Sequence, residues 1–415
     1  MPKNVPGLSR QSIDSWISEL NAQVPELAAL WPENKRNGEE GYYHTLREIC
    51  QQPLTWLNTS VRACNSLSTL QGIVAESGVG NKKGAVILTG SGSSLYAGEC
   101  LTLTLQAELA VPVHAIPAGS ILTHPDVALP PGQTSLAVSL ARSGDSPEST
   151  AVVEFLDKAS PGIRHLVITC NQNGRLAVLQ RNNPGAVTLV LDDATCDRSL
   201  VMTSSFSNLV WAGRSLGLLH SPDLYRQDTE AIVAAGKQLL TEESGHVAAL
   251  AKLAFRSVLY LGSGVRLGSA RESALKMLEM TAGQVMTFAE TYLGVRHGPL
   301  AAVHPDTLIV CFLSSEPTVR AYELDLIREL CRKNLGLRKM IVGEEVPSDL
   351  GLPEDCVVDC GKSGLGDANL PVLDVLVGQL LAFFRCLSLG LRPDTPSRED
   401  IISRVVGDFA IYRRG

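Results

Sequence analysis

The sequence predicts an α/β protein built as two tandem open domains, each a parallel sheet flanked by helices. Three observations carry this. The strand-like run Val86-Ile87-Leu88-Thr89 meets Gly90-Ser91-Gly92-Ser93-Ser94 and then a helical stretch to about Leu109. Val258-Leu259-Tyr260-Leu261 meets Gly262-Ser263-Gly264 and another helical stretch, a step of 172 residues from Gly90 to Gly262. The next unit keeps the same step, with apolar runs beginning at Ser135 and Thr307 and ending in Ser-containing turns. Short apolar runs closed by Gly/Ser turns and followed by helical periodicity mark βα units in a parallel sheet. A step this long marks paired domains, since solenoid repeats are far shorter.

On this reading residues 1–45 are a polar N-terminal extension. Residues 46–235 hold a helical lead-in with Pro53 and Trp56, then the first sheet domain. Residues 236–392 form the second domain, and 393–415 a tail in which Pro393 and Pro396 stop any helix. Weaker strands are expected at His165–Thr169 and Val187–Leu191, then at Lys339–Val342 and Cys356–Val358.

With 45% hydrophobic and 19% charged residues, the chain has a globular composition and is not largely disordered. Lys and Arg number 36 against 43 Asp and Glu, a net charge of -7, and no basic cluster stands out. Nucleic acid is therefore not expected as a partner. No run approaches the ~18 uninterrupted apolar residues of a membrane span, and the N-terminus lacks the apolar core of a secretory signal. Membrane partners are not expected. The ten Cys are scattered, and those in apolar runs read as buried, reduced thiols. The expected location is the cytoplasm.

Gly90-Ser91-Gly92-Ser93-Ser94 is the first candidate site. Glycines let the backbone turn sharply after a strand, and the following helix offers N–H groups to an anion. A dinucleotide fingerprint fails, because Leu95 stands at its third glycine position. The plain alternative is a tight turn. The device returns after the next strand in Ala141-Arg142-Ser143-Gly144-Asp145-Ser146-Pro147-Glu148, with Ser146 a natural N-cap and Pro147 at the first helical position. By itself this is a capped helix. Two such turns on adjacent strands face each other across the crevice at the C-terminal strand ends. Hydroxyls and N–H groups converging there suit a phosphate monoester. In the second domain the step of 172 carries Gly144 onto Glu316, whose carboxylate repels a phosphate dianion. One half is expected to bind phosphate and the other not.

Glu272, Lys276 and Glu279, spaced by four and three, share one helix face. Alone, that is an exposed face with ordinary Glu–Lys pairs. The helix is apolar on its other side, however, starts at a Gly turn and is followed by Arg296-His297-Gly298-Pro299. A His in such a turn is commonly structural, yet a turn is also where a mobile acid/base is placed. The eight His are isolated and lack zincin or finger spacing, so neither a metal nor a cofactor is expected.

Together these motifs resemble a known family. GSGSS followed by ARSGDSPES resembles the phosphate-binding pair of the sugar isomerase (SIS) domain, a flavodoxin-like fold. ARESALKMLEMTAG, RHGP, MTSSFSN (Met202–Asn208) and a PDTPS…SRVV tail are similar to the two-SIS-domain galactosamine-6-phosphate deaminase/isomerase family, historically called tagatose-6-phosphate ketose/aldose isomerases. The resemblance runs from about residue 45 to the C-terminus. It implies conversion of D-galactosamine 6-phosphate to tagatose 6-phosphate and ammonia in a homo-oligomer.

A more distant resemblance, to the isomerase half of glucosamine-6-phosphate synthase, implies roles for single residues. Glu279 would be the base moving a proton between C2 and C1, on the helix face it shares with Glu272 and Lys276. His297 would be the ring-opening acid/base, reaching in from a neighbouring subunit. The phosphate hydroxyls fall on Ser94, Ser143 and Ser146, with Ser91 nearby. The relative's tail Lys has no clear counterpart; Arg404 lies in that region. Phosphate contacts from one domain and acid/base groups from the other imply an active site at a domain or subunit interface. Two further functions stay open: a ketose/aldose isomerase without deamination, and a non-catalytic sugar-phosphate sensor. Keeping both Glu279 and His297 argues against the sensor.

Overall fold

The computed structural model describes residues 12–31, 40–131, 134–160, 162–361, 363–397, 401–407 and 409–412. Much of the expected N-terminal extension, residues 1–11 and 32–39, lies outside them. The chain forms two compact units. One draws its described residues from Thr55–Asp197, Ser204–Gln227 and Asp400–Gly415, the other from Met1–Leu54, Arg198–Thr203 and Asp228–Glu399.

The first unit holds strands β1 (Ala85–Gly90), β2 (Val113–Pro117), β3 (Thr134–Ala141), β4 (Arg164–Thr169) and β5 (Ala186–Val190), all parallel, in the order β2-β1-β3-β4-β5. The second holds β6 (Ser257–Leu261), β7 (Met286–Glu290), β8 (Thr307–Phe312), β9 (Arg338–Gly343) and β10 (Cys356–Asp359), also parallel, in the order β10-β9-β8-β6-β7. Read from the opposite edge, the second order matches the first. Both are flavodoxin-like, with a switch point where the strand order reverses. Those points fall between β1 and β3, and between β6 and β8. The fold class read from the sequence is the one observed.

Every residue of β1 and β8 is buried, as a parallel sheet covered on both faces requires. The edge strands β2 and β7 were not anticipated. They are short and half-covered: His114 is exposed, Pro117 ends β2 without an N–H to donate, and Met286 is exposed at the start of β7.

The helices that matter below are α1 (Ile13–Gln23), α2 (Tyr43–Cys50), α3 (Ser93–Glu99), α4 (Pro147–Ala159), α5 (Arg266–Met280), α6 (Pro317–Arg332) and α7 (Pro371–Ser388). Val152 and Leu156 of α4 pack with Ile87, Ala137 and Ile163 on one face of the first sheet. Leu326, Ile327 and Leu330 of α6 do the same with Leu259, Ile309 and Ile341 on the second. Each such side chain contributes ~1.5–3 kcal/mol by leaving water.

Among the described residues α7 is the one helix long and apolar enough to cross a membrane, and 89% of it is buried inside the fold, where it packs against α5. Its polar side chains have protein partners: Gln379 accepts from Gln52 Nε2 at 2.7 Å, and Arg385 donates to the carbonyls of Ala251, Leu253 and Phe255. At the N-terminus the Ser12 hydroxyl caps α1, and Trp16 Nε1 donates to the Cys50 carbonyl at the end of α2 (2.9 Å). No helix forms among the described residues after α7. Asp394 accepts from the Thr45 N–H (2.7 Å) and hydroxyl (2.8 Å), and Arg404 Nε donates to the Asp197 carbonyl (2.7 Å).

Candidate active site

The four candidate serines lie at the switch point of the first sheet, in the loops that follow the adjacent strands β1 and β3. Gly90 allows the first loop to fold onto its strand, because a Cβ there would stand 2.5 Å from that of Ser94. Ser94 is buried in the first turn of α3 and its N–H donates to the Ser91 carbonyl (3.2 Å), while Ser91 is exposed. In the second loop Gly144 adopts φ 67°, a left-handed conformation open to glycine at little cost. Ser143 Oγ accepts from the Asp145 N–H (3.2 Å), and both Ser143 and Ser146 are half-buried.

Ser146 occupies the N-cap position of α4, as expected, but its hydroxyl caps nothing. It pairs instead with Ser149 Oγ at 2.7 Å. Arg142, buried at the end of β3, donates to the Arg404 carbonyl; burial lowers its pKa, and Arg404 adds a like charge. The expected tail residue thus lies beside the arginine of the candidate serine loop, a contact that no spacing in the sequence announces.

The second unit carries the acid/base candidates. On α5 Lys276 Nζ lies 2.5 Å from Glu279 Oε2 and 3.3 Å from Glu272 Oε1. The exposed-face alternative fails here. Glu272 and Lys276 are fully buried, and only the Glu279 side chain, 23% exposed, reaches solvent. Burial opposes the lysine charge, but Glu272 and Glu279 outweigh it and hold the ammonium above the ordinary lysine range. Glu279 lies in the last turn of α5, where the helix dipole disfavours an anion; Lys276 supplies the compensating charge. One buried cation thus lies between two carboxyl groups, of which only that of Glu279 is reachable from solvent.

His297 ends the short 3₁₀ turn Gly294–His297 that follows β7, and its ring is exposed. Among the described residues it has no hydrogen bond or ion pair to the triad on α5.

The loop after β8 corrects the expected equivalence of Gly144 and Glu316. Strand register keeps the step of 172, since Ser139 pairs with Thr89 and Cys311 with Leu261. The helices that follow begin at Pro147 and Pro317, a step of 170. The second loop is two residues shorter, and Glu316 takes the N-cap place that Ser146 holds in the first unit. Its Oε2 accepts from the Val319 N–H at 2.8 Å. Asp367, which the sequence reading did not single out, accepts from the Ser315 N–H (2.8 Å), Ser315 Oγ (3.2 Å) and Ser314 Oγ (2.5 Å). Beside it Arg266 opens α5 with its guanidinium buried and paired to Asp374 (2.9 and 2.5 Å). No spacing rule links Asp367 to Ser315, because they meet only through the fold.

Two parallel sheets with hydroxyl-rich loops at one switch point and a buried Glu-Lys-Glu cluster in the other unit define a protein of the tandem sugar isomerase class. No family model matches the chain. It is 33% identical over 378 residues to the D-galactosamine-6-phosphate deaminase AgaS of Shewanella sp. (strain ANA-3), covering 90% of this chain and 92% of that one. Identity to the protein of the same name from Escherichia coli is 32% over 370 residues, 89% of this chain and 95% of that one.

Among solved structures, the tagatose-6-phosphate ketose/aldose isomerase from Escherichia coli superposes with a TM-score of 0.78 at 31% identity, covering 86% of this chain and 95% of that chain. The C-terminal domain of glucosamine-fructose-6-phosphate aminotransferase from Francisella tularensis shares the fold, with a TM-score of 0.70 at 18% identity over 85% of this chain and 98% of that one. The chain belongs to the D-galactosamine-6-phosphate deaminase family, and it is an enzyme.

Proposed function

We propose that the chain converts D-galactosamine 6-phosphate to tagatose 6-phosphate and ammonia. The observation that carries this reading is the Glu272-Lys276-Glu279 cluster, in which the buried Lys276 ammonium is paired to both carboxylates and Glu279 alone reaches solvent. Ser91, Ser94, Ser143 and Ser146 bind the 6-phosphate, with backbone N–H groups at the start of α4, and this supplies binding energy remote from the reacting carbons. His297 passes a proton to the ring oxygen as the hemiacetal opens. Glu279 takes the proton from C2 and returns it to C1 while a proton passes from the C2 amine to the C1 oxygen, so the C1 aldehyde becomes a hydroxymethyl group and C2 a ketimine. Water adds to C2 and ammonia leaves, giving the ketone.

With a hydroxyl in place of the C2 amine, the same shuttle interconverts aldose and ketose. The likeness to a structure named as a ketose/aldose isomerase favours that second reading. Ammonia release separates the two: a coupled assay across galactosamine, glucosamine and N-acetylated 6-phosphates should show release with galactosamine 6-phosphate, and turnover without ammonia would select the plain isomerase. The enzyme works as a homo-oligomer in the cytoplasm on this reading, where its ten free thiols stay reduced.

A further inference from the structure

The turn that carries His297 is fixed at its start by three devices. Glu290 Oε1, at the end of β7, accepts from the Thr291 N–H (2.7 Å), and Thr291 Oγ1 in turn accepts from the Gly294 N–H (2.9 Å). The Tyr292 hydroxyl donates to the Phe312 carbonyl at 3.0 Å. Val295 is fully buried in the core between the second sheet and α6. Between Val295 and the point where Leu300 and Val303 rejoin the same apolar core, Arg296 supplies the turn's polar tether among the described residues. Arg296 Nε donates to Glu329 Oε2 and Arg296 Nη2 to Asp325 Oδ2, each at 2.9 Å. These acceptors stand four residues apart on α6, so they form one fork on one helix face. Lys333 Nζ donates to the other oxygen of Glu329 at 2.6 Å and holds that carboxylate in place. Past His297 the chain turns away at Gly298 with φ 131°.

We infer that Arg296 is a positioning residue: its two-pronged ion pair to Asp325 and Glu329 fixes the backbone on which His297 is presented for ring opening. The inference rests on the proposed role of His297. Its physical basis is the division of anchors along the turn. Residues 290–295 are held by buried contacts and hydrogen bonds that do not involve Arg296, so the fold of the unit does not depend on it. Losing the fork loosens the short stretch between the anchors at Val295 and Leu300, the part that bears the acid/base. A planar guanidinium engaged by two carboxylates fixes direction as well as distance, which a lysine point charge does only in part. Misplacing a catalytic group by about 1 Å costs up to ~10²-fold in rate.

The test compares ammonia release from galactosamine 6-phosphate by the unaltered chain and five variants. Arg296→Ala should lower kcat by ~10- to 100-fold with KM and Tm little changed, and Arg296→Lys should recover part of the loss. The double variant Asp325→Asn/Glu329→Gln should reproduce the Arg296→Ala loss. In a His297→Gln background Arg296→Ala should cost nothing more, because a residue acting through His297 has nothing left to position. Full kcat in Arg296→Ala alongside an impaired His297→Gln would overturn the inference and leave the role of His297 standing. Additive losses in the combined variant, or losses that follow Tm, would also overturn it by reducing the fork to a structural ion pair. Full activity in His297→Gln would overturn both readings together.

Discussion

At the switch point of the first sheet, the loops after β1 and β3 present serines, and α4 begins with no side-chain cap. At the switch point of the second, the protein supplies its own anions. The Asp367 carboxylate takes the Ser315 N–H and the hydroxyls of Ser314 and Ser315, Glu316 caps α6, and Arg266 is held by Asp374. Identical strand order therefore does not fix what a crevice binds. Two residues fewer in one loop, and one aspartate delivered from a distant segment, turn a set of hydroxyls and N–H groups that suits a phosphate into one already satisfied from within. On the proposed function, the second unit binds no anion there and carries the proton-transfer groups on the helix that Arg266 opens.

The largest effect expected from this division lies on α5. Glu279→Gln keeps the side-chain volume and removes the base, so turnover should fall by ~10²–10⁴-fold while isothermal titration still registers the sugar phosphate. Turnover at the wild-type level would remove Glu279 from the mechanism. Lys276→Met is expected to act on stability as well as rate. It leaves the carboxylate of Glu272, fully buried, without its cation; breaking a buried pair in this way costs ~3–5 kcal/mol. Denaturant unfolding measures it, and a loss below about 1 kcal/mol would show that the triad behaves as a surface pair.

Smaller effects are expected at the first switch point. On the proposed function, Ser143→Ala and Ser146→Ala would each remove a hydrogen bond to the phosphate, worth ~1.5–3 kcal/mol, and should weaken sugar-phosphate binding by that amount with kcat less affected. Titration of the intact chain should find one phosphosugar per polypeptide. Two equivalent sites would break the comparison, because Asp367 and Glu316 would then fail to exclude an anion from the second crevice.

Much of this was legible in the chain, for reasons that particular residues make plain. Strands β1, β3, β6 and β8 are read easily because they are central and apolar along their length, whereas β2 and β7 have one edge in solvent and carry His114, Pro117 and Met286. The spacing of Glu272, Lys276 and Glu279 announces a shared face. It does not announce burial, because the helix that packs against α5 begins only at Pro371. Residue counting put Glu316 opposite Gly144, and only the strand register with the helix starts shows the shorter loop. Asp367 and the Arg296 fork involve partners 29 to 53 residues away, joined by chain folding that no local pattern encodes.

The smallest effect concerns Glu316, and it tests whether that carboxylate acts as a built-in anion at the start of α6. Hydrogen bonds from the Val319 and Thr318 backbone, then the Thr318 side chain, hold its carboxyl below the ordinary glutamate value although it is fully exposed. A carboxylate whose pKa is lower folded than unfolded contributes stability above the unfolded value of about 4.3 and loses it as pH falls through the folded value. Glu316→Gln removes the charge and keeps an acceptor oxygen. Wild type should therefore melt slightly above Glu316→Gln at pH 7, and the gap should close as the pH is taken down through the acid range. Added salt should narrow it as well, since an exposed charge at a helix terminus is screened. A gap of constant size from neutral to acid pH would mean that the side chain caps α6 through hydrogen bonding alone, leaving Asp367 as the anion that distinguishes the second crevice from the first.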